Sequence, residues 1–152
     1  MCRRIRGRIS DNRVKGREKG KCARVMNHDV RRVGFISQRT VDLLGLKLAG
    51  GTPILMGKSN VEHIKNRHPY EFDKYYNDIE NILEKPDYVG KNPNDDSILF
   101  VKEYKVNSEY IRVAVKVTAS KKCYAKTLHL LSTCNVERYI ARGTLIKFDK
   151  NE

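Results

Sequence analysis

From Ile111 to Thr118 the chain alternates without exception: Ile111, Val113, Val115 and Val117 fall on one parity, Arg112, Ala114, Lys116 and Thr118 on the other. Side chains of a β-strand project to opposite faces with a period of two. This stretch is therefore a strand with one face in a core and the other bearing charge. Its neighbours continue the pattern. Ile98 to Tyr104 reads as a strand and Asn107-Ser108 as the turn after it. Ser120 to Lys122 turns the chain again, into a strand from Cys123 to Leu131. Val136 to Arg142 then reads as a short helical turn ended by Gly143, and Thr144 to Phe148 as a closing strand.

Upstream, the period is helical. Val33 to Ile36 reads as a short first strand, after which Ser37 offers an N-cap to a helix carrying Val41, Leu44 and Leu48. Gly50-Gly51 breaks the chain before a short apolar segment, Pro53 to Met56. Ser59-Asn60-Val61-Glu62 matches the S-x-x-E capping box and opens a short helix that ends before Pro69. A longer helix is expected from Tyr70 to Glu84, with Phe72, Tyr75, Tyr76, Ile79, Ile82 and Leu83 at helical spacing and Pro86 as its stop. Helices first and an antiparallel meander afterwards argue an α+β fold. One sheet face lies under the helices in this reading, and the other, with Arg112 and Lys116, is left for polar work.

Of the 152 residues, 31 are Lys or Arg and 18 are Asp or Glu, for a formal charge of +13. The placement matters more than the total. Residues 1–39 hold 13 Lys/Arg against three acids, whereas residues 40–152 hold 18 against 15. The basicity is concentrated in a leader, read as residues 1–31 and disordered because apolar periodicity is absent there. A single domain is expected over residues 32–152. A cationic arm of this kind gathers polyanions by counterion release, without reading sequence. Met26 opens the more ordinary-looking stretch, so residues 1–25 are read as a segment that a later start would omit.

No apolar run is long enough to cross a membrane as a helix, and no apolar block follows the first arginines as it does in a secretion signal. Cys2, Cys22, Cys123 and Cys134 are scattered, without a C-x-x-C pair. They read as reduced thiols in a bacterial cytoplasm.

The densest chemistry is Val61-Glu62-His63-Ile64-Lys65-Asn66-Arg67-His68-Pro69. His63 and Arg67 lie at i,i+4 on one helical face, with Ile64 turned inward and His68 at the helix end. Imidazole carries a proton near neutral pH and guanidinium grips phosphate bidentately, so the cluster suits phosphate chemistry. A capped surface helix with one packed histidine has the same appearance. The histidines stand at i,i+5 with no nearby third ligand, which argues against a metal site. Gly57-Lys58-Ser59 resembles the end of a phosphate-binding loop, but the preceding Pro-Ile-Leu-Met is strand-like and cannot serve as a flexible cradle. A second cluster, Lys116, Lys126, Thr127 and His129, falls on adjacent predicted strands, and Tyr139, Arg142 and Thr144 border the same surface. Such residues are ordinarily just solvated; function requires that they converge with His63 or His68.

Together these pieces resemble the phage-type nucleases of the barnase–EndoU–colicin–RelE superfamily. The resemblance runs from about Val33 to Phe148. It is carried by Val33-Gly34-Phe35-Ile36, Leu43-Leu44-Gly45-Leu46, His63-Ile64-Lys65-Asn66-Arg67-His68, Ile82-Leu83-Glu84-Lys85-Pro86-Asp87, the valine-rich strand ending at Lys116, and Lys126-Thr127-Leu128. It implies N-terminal helices packed on a four-stranded antiparallel sheet, and RNA cleavage that needs no metal or other cofactor. His63 is then the leading catalytic residue, with His68, Lys116 and Thr127 in support, while Arg67, Arg112, Lys126 and His129 hold substrate. The reaction implied is attack of a ribose 2′-OH on the adjacent phosphorus, giving a 2′,3′-cyclic phosphate. For a toxin-like member the resemblance also implies an acidic antidote or immunity partner. Two other readings compete: a non-enzymatic nucleic-acid-binding module working through the basic arm, and a degenerate nuclease fold kept for a structural role.

Overall fold

The computed structural model describes residues 30–148. The expected leader thus lies outside the described residues, apart from Val30 and Arg31, which open the first strand.

Chain order is β1 (Val30–Ile36), α1 (Gln38–Leu44), β2 (Thr52–Gly57), α2 (Lys58–Arg67), α3 (Pro69–Tyr75), a 3₁₀ turn (Tyr76–Asp78) and α4 (Ile79–Glu84). It continues with β3 (Tyr88–Lys91), β4 (Ile98–Tyr104), β5 (Glu109–Val117), β6 (Cys123–Leu131), α5 (Thr133–Ala141) and β7 (Leu145–Lys147). Strands and helices segregate as an α+β fold. The expected four-stranded antiparallel sheet is corrected to a seven-stranded mixed sheet of order β1-β2-β6-β5-β4-β3-β7.

The antiparallel centre β4-β5-β6 follows the sequence pattern. Phe100 pairs with Val113 across β4 and β5, and Val113 with Leu128 across β5 and β6. The extra strands come from segments too short to show a period. Pro53 to Met56 becomes β2, with Ile54 and Met56 fully buried, and it runs parallel to β6 with Ile54 opposite Cys123. β3 is only four residues long and joins β4 to β7. It comes so close to the approach to β7 that a Cβ at Gly90 would lie 1.9 Å from the carbonyl oxygen of Thr144. Only glycine fits there.

Helices α1 to α4 cover one face of the sheet. The core between them holds Ile36, Ile54, Ile64, Ile79, Ile82, Phe100, Ile111, Val113, Val115 and Leu128. The other face was expected to be free; instead α5 packs on part of it, over a second, smaller core of Leu99, Val101, Ala114, Leu131, Val136 and Leu145. β4 is therefore buried on both faces, which is why Ile98 to Val101 is apolar without alternation. Cys123 is buried, Cys134 is exposed, and both are free. Among the described residues, no helix is long and apolar enough to cross a membrane.

The helix ends need two corrections. Ser37 caps α1 as expected, accepting from the Thr40 N–H. The N-cap of α2 is Gly57, two residues before the anticipated Ser59, and the Asn60 side chain accepts from the Gly57 N–H at 3.0 Å. Glu62 is therefore not spent on a capping box. The long helix expected from Tyr70 to Glu84 is broken at the 3₁₀ turn, so that α3 and α4 can follow different parts of the twisted sheet.

Candidate active site

The site begins with a proline. His68 precedes Pro69, and a residue before proline is disfavoured in the helical region. α2 therefore ends at His68, whose backbone is non-helical (φ −135°, ψ 59°), and α3 starts at once with Pro69 in its first turn. His68 consequently stands at a corner between two helices. Both helices lie against β6. β2 pairs with β6 only near Ile54 and Leu55, leaving the outer edge of β6 open further along. α3 covers that edge: Glu71 accepts from the Leu130 N–H at 3.0 Å. α3 is held in turn by Tyr70 and Tyr75, which both donate to the Glu109 carboxylate at the start of β5.

This corner brings His68 round the sheet edge onto the second face. Its ring stacks on that of His129, with centroids 5.0 Å apart and planes 28° from parallel. His63, one and a half turns earlier on α2, presents its ring edgewise to His68 at 6.2 Å. The Glu71 carboxylate lies 3.9 Å from His68 Nδ1, at ion-pair rather than hydrogen-bond range. Three histidines and a carboxylate from two helices and a strand thus meet at one place.

β5 supplies the cation. Arg112 is the cross-strand partner of His129, and Ala114 that of Thr127. A bulge in the β5–β6 pairing adds one residue at Lys126, and Thr127 and His129 share the second face with Arg112. Arg112 Nε, Thr127 Oγ1 and His129 Nδ1 are all buried without a hydrogen-bond partner. Buried polar atoms are nearly always paired, so three orphans on one patch mark a place built to receive a polar group. Burial draws Arg112 below the ordinary guanidinium range. It remains a cation, since arginine does not lose its proton in proteins. Burial, then Arg112, then His68 hold His129 down to about 4, so its ring is neutral near pH 7 with Glu71 opposing the shift. A partly buried cation whose Nε lacks a partner, with Asp95 as its acidic neighbour and a neutral imidazole beside it, can receive an anion.

Not all the expected site residues converge. His63, His68, His129, Arg112 and Thr127 come together. Lys116 shares the parity of Arg112 but lies four residues along the strand, about 13 Å away, exposed and opposite Tyr124. Arg67 is exposed in the last turn of α2. Lys126 is engaged with Asp95, 3.1 Å away. Glu71 was not singled out from sequence, although its place three residues after His68 across Pro69 is a usable signal. Beyond Arg112 a cavity continues across the same face, lined by residues of the β3–β4 loop, β4 and the end of α5; Tyr139, Arg142 and Thr144 border it, whereas Lys116, Lys126, Thr127 and His129 do not line it. Among the described residues, no group of three or more His, Cys, Asp or Glu is arranged to hold a metal ion.

No curated protein and no solved structure matches the chain. A family model does, over residues 31–138, and it spans every residue of the histidine cluster. The chain therefore belongs to the phage-Barnase-EndoU-ColicinE5/D-RelE like nuclease3 family.

Proposed function

We propose that the protein is an endoribonuclease that cleaves RNA by 2′-OH transesterification, without a metal. The observation that carries this reading is the convergence of His63, His68 and His129 on a patch where buried Arg112 Nε and Thr127 Oγ1 have no partner. Internal cleavage of RNA needs a base, an acid and cationic stabilisation of the phosphorane, and this patch offers all three.

In this reading His68 takes the proton from the ribose 2′-OH. Glu71, whose carboxylate lies 3.9 Å from Nδ1, orients the ring. The 2′-oxygen attacks phosphorus, the bond to the 5′-oxygen breaks, and His63 returns a proton to that oxygen. The products are a 2′,3′-cyclic phosphate and a 5′-OH end. Arg112 and Thr127 hold the non-bridging oxygens, where negative charge grows most in the transition state. His129, neutral and stacked under His68, keeps that ring in place and turns its free Nδ1 toward the phosphate. Arg67 and Lys116 are left to more distant phosphates. This divides the expected catalytic group: His63 and His68 exchange protons, Thr127 orients, and Lys116 stands aside.

The test is incubation of mixed RNA with the protein in EDTA, beside His68→Ala and His63→Ala. Cleavage that persists in EDTA, leaves cyclic-phosphate ends and falls by about two to four orders of magnitude in each variant supports the reading. Full activity in His68→Ala would overturn the assignment. Strict dependence on a divalent ion would overturn the metal-free mechanism. A phage- or toxin-associated role in the bacterial cytoplasm follows the same reading, and an acidic antidote would then have to cover Arg112.

A further inference from the structure

On the side of Arg112 away from the histidines, the second sheet face opens into a cavity of about 380 Å³. Leu99 and Arg112 lie along the sheet. Asn92 and Asn94 come from the β3–β4 loop, and Tyr139 and Arg142 from the end of α5. Tyr139 packs by one side on the second core, while Arg142 is exposed. The loop is tied down across the sheet by Asp95, whose carboxylate accepts from Lys126 on β6 and from the backbone N–H of Ser97.

The chemistry of the lining is mixed in a particular way. One aromatic ring and two apolar side chains, Leu99 and Pro93, stand near two guanidiniums, two amide side chains and Thr144. An apolar ligand would leave the charged groups stranded, and a simple anion would leave the ring unused. A nucleotide has a flat π-face, a hydrogen-bonding edge and a phosphate, and so answers to all of them. The volume lies at the low end for small-ligand pockets, which fits a single splayed-out nucleotide rather than a duplex. Arg112 connects the two regions. It lines the cavity and is also the cross-strand partner of His129, so a phosphate on Arg112 would join a group in the cavity to one at the histidines.

We infer that this cavity is a subsite for the nucleotide adjoining the phosphate held at the histidines, with its base against Tyr139 and its outer phosphate toward Arg142. The inference rests on the ribonuclease reading above and deepens it: the substrate is a single-stranded segment longer than a dinucleotide, held across β5 and β4.

The test uses fluorescein-labelled 2′-O-methyl oligonucleotides of increasing length, which lack the attacking hydroxyl and stay intact, titrated with the full chain and read by anisotropy. Affinity should rise by about tenfold at one added nucleotide, the scale expected of one stacked base, and little with the next. That step should vanish in Tyr139→Ala, survive in Tyr139→Phe and shrink in Arg142→Ala. Because Tyr139 also packs on the second core, Arg142→Ala carries the test if Tyr139→Ala fails to fold. A length series without a step, or a step unchanged in Arg142→Ala and in every folded Tyr139 variant, overturns the subsite. A step that behaves as expected in a protein that cuts no RNA supports the subsite and refutes the ribonuclease reading. Equal kcat/KM on cleavable dinucleotide and tetranucleotide does the reverse.

Discussion

The His68 ring, at the corner between two helices, lies stacked on the His129 ring of a central strand, with centroids 5.0 Å apart. The contact joins the helical layer to the second face of the sheet at the point where β6 loses its parallel neighbour. Glu71 serves both sides of the junction, accepting from the Leu130 N–H and lying beside His68.

In the ribonuclease reading, this geometry makes Glu71 a positioning residue. Glu71→Gln keeps an oxygen for the Leu130 N–H and loses the charge beside His68. We expect kcat on RNA to fall by about tenfold with KM little changed, and the urea midpoint to move by less than about 1 kcal/mol in equivalent stability. A rise in KM at constant kcat would place Glu71 in binding instead.

In the ribonuclease reading, Arg112 trades stability for function. A partly buried guanidinium with an orphan Nε is costly, and a folded protein without it should be no less stable. Arg112→Met is expected to leave stability equal or raise it by about 1 kcal/mol, while RNA cleavage falls by at least about a hundredfold. Inorganic phosphate should raise the Tm of the natural protein and not that of the variant. Lys116→Ala, by contrast, should change cleavage by no more than about threefold, as expected of an exposed, screened charge. A larger loss in Lys116→Ala than in Arg112→Met would reverse the roles.

His129 makes stability depend on pH. Its folded-state value of about 4 lies below the ordinary 6.5, so between those values the unfolded chain binds a proton that the folded one does not. This contribution is present above about pH 6.5 and is lost as pH falls toward 4. Urea unfolding should show that His129→Gln loses less stability over this window than the natural protein, by about 2 kcal/mol. Parallel curves for the two proteins would remove His129 as the cause.

Gly90 is where the short strand β3 admits the approach to β7. A methyl group there meets the Thr144 carbonyl, so Gly90→Ala should cost about 2–3 kcal/mol by thermal or urea unfolding. Because Thr144 borders the cavity, the variant should also weaken RNA binding beyond its effect on stability. An unchanged Tm would mean that β7 can give way without cost.

Much of this was legible in the residues themselves. The period-two run at Ile111 to Thr118 put Arg112 opposite the valines, and the X-Pro step at His68-Pro69 ended a helix beside a histidine. β2 and β3 were not legible as strands, since segments of four to six residues are too short to show a period. Nor could Tyr76 to Asp78 announce a break, because their spacing suits a continuous helix and only the twisted sheet beneath demands otherwise.

By itself, the sequence determined the α+β class, the meander from β4 to β6, the inward face of β5 and the residue types available for phosphate chemistry. These are local properties, set by the period of the pattern and by backbone sterics. Which of the basic and imidazole groups meet was decided only in three dimensions. A bulge at Lys126 sets which residues of β6 share a face with Arg112, and the parallel β2 stops short so that α3 can cover the rest of that edge. Those choices depend on contacts between segments distant in sequence. That is why His129 became the neighbour of His68 while Lys116, also a basic residue and on the same strand as Arg112, was left outside.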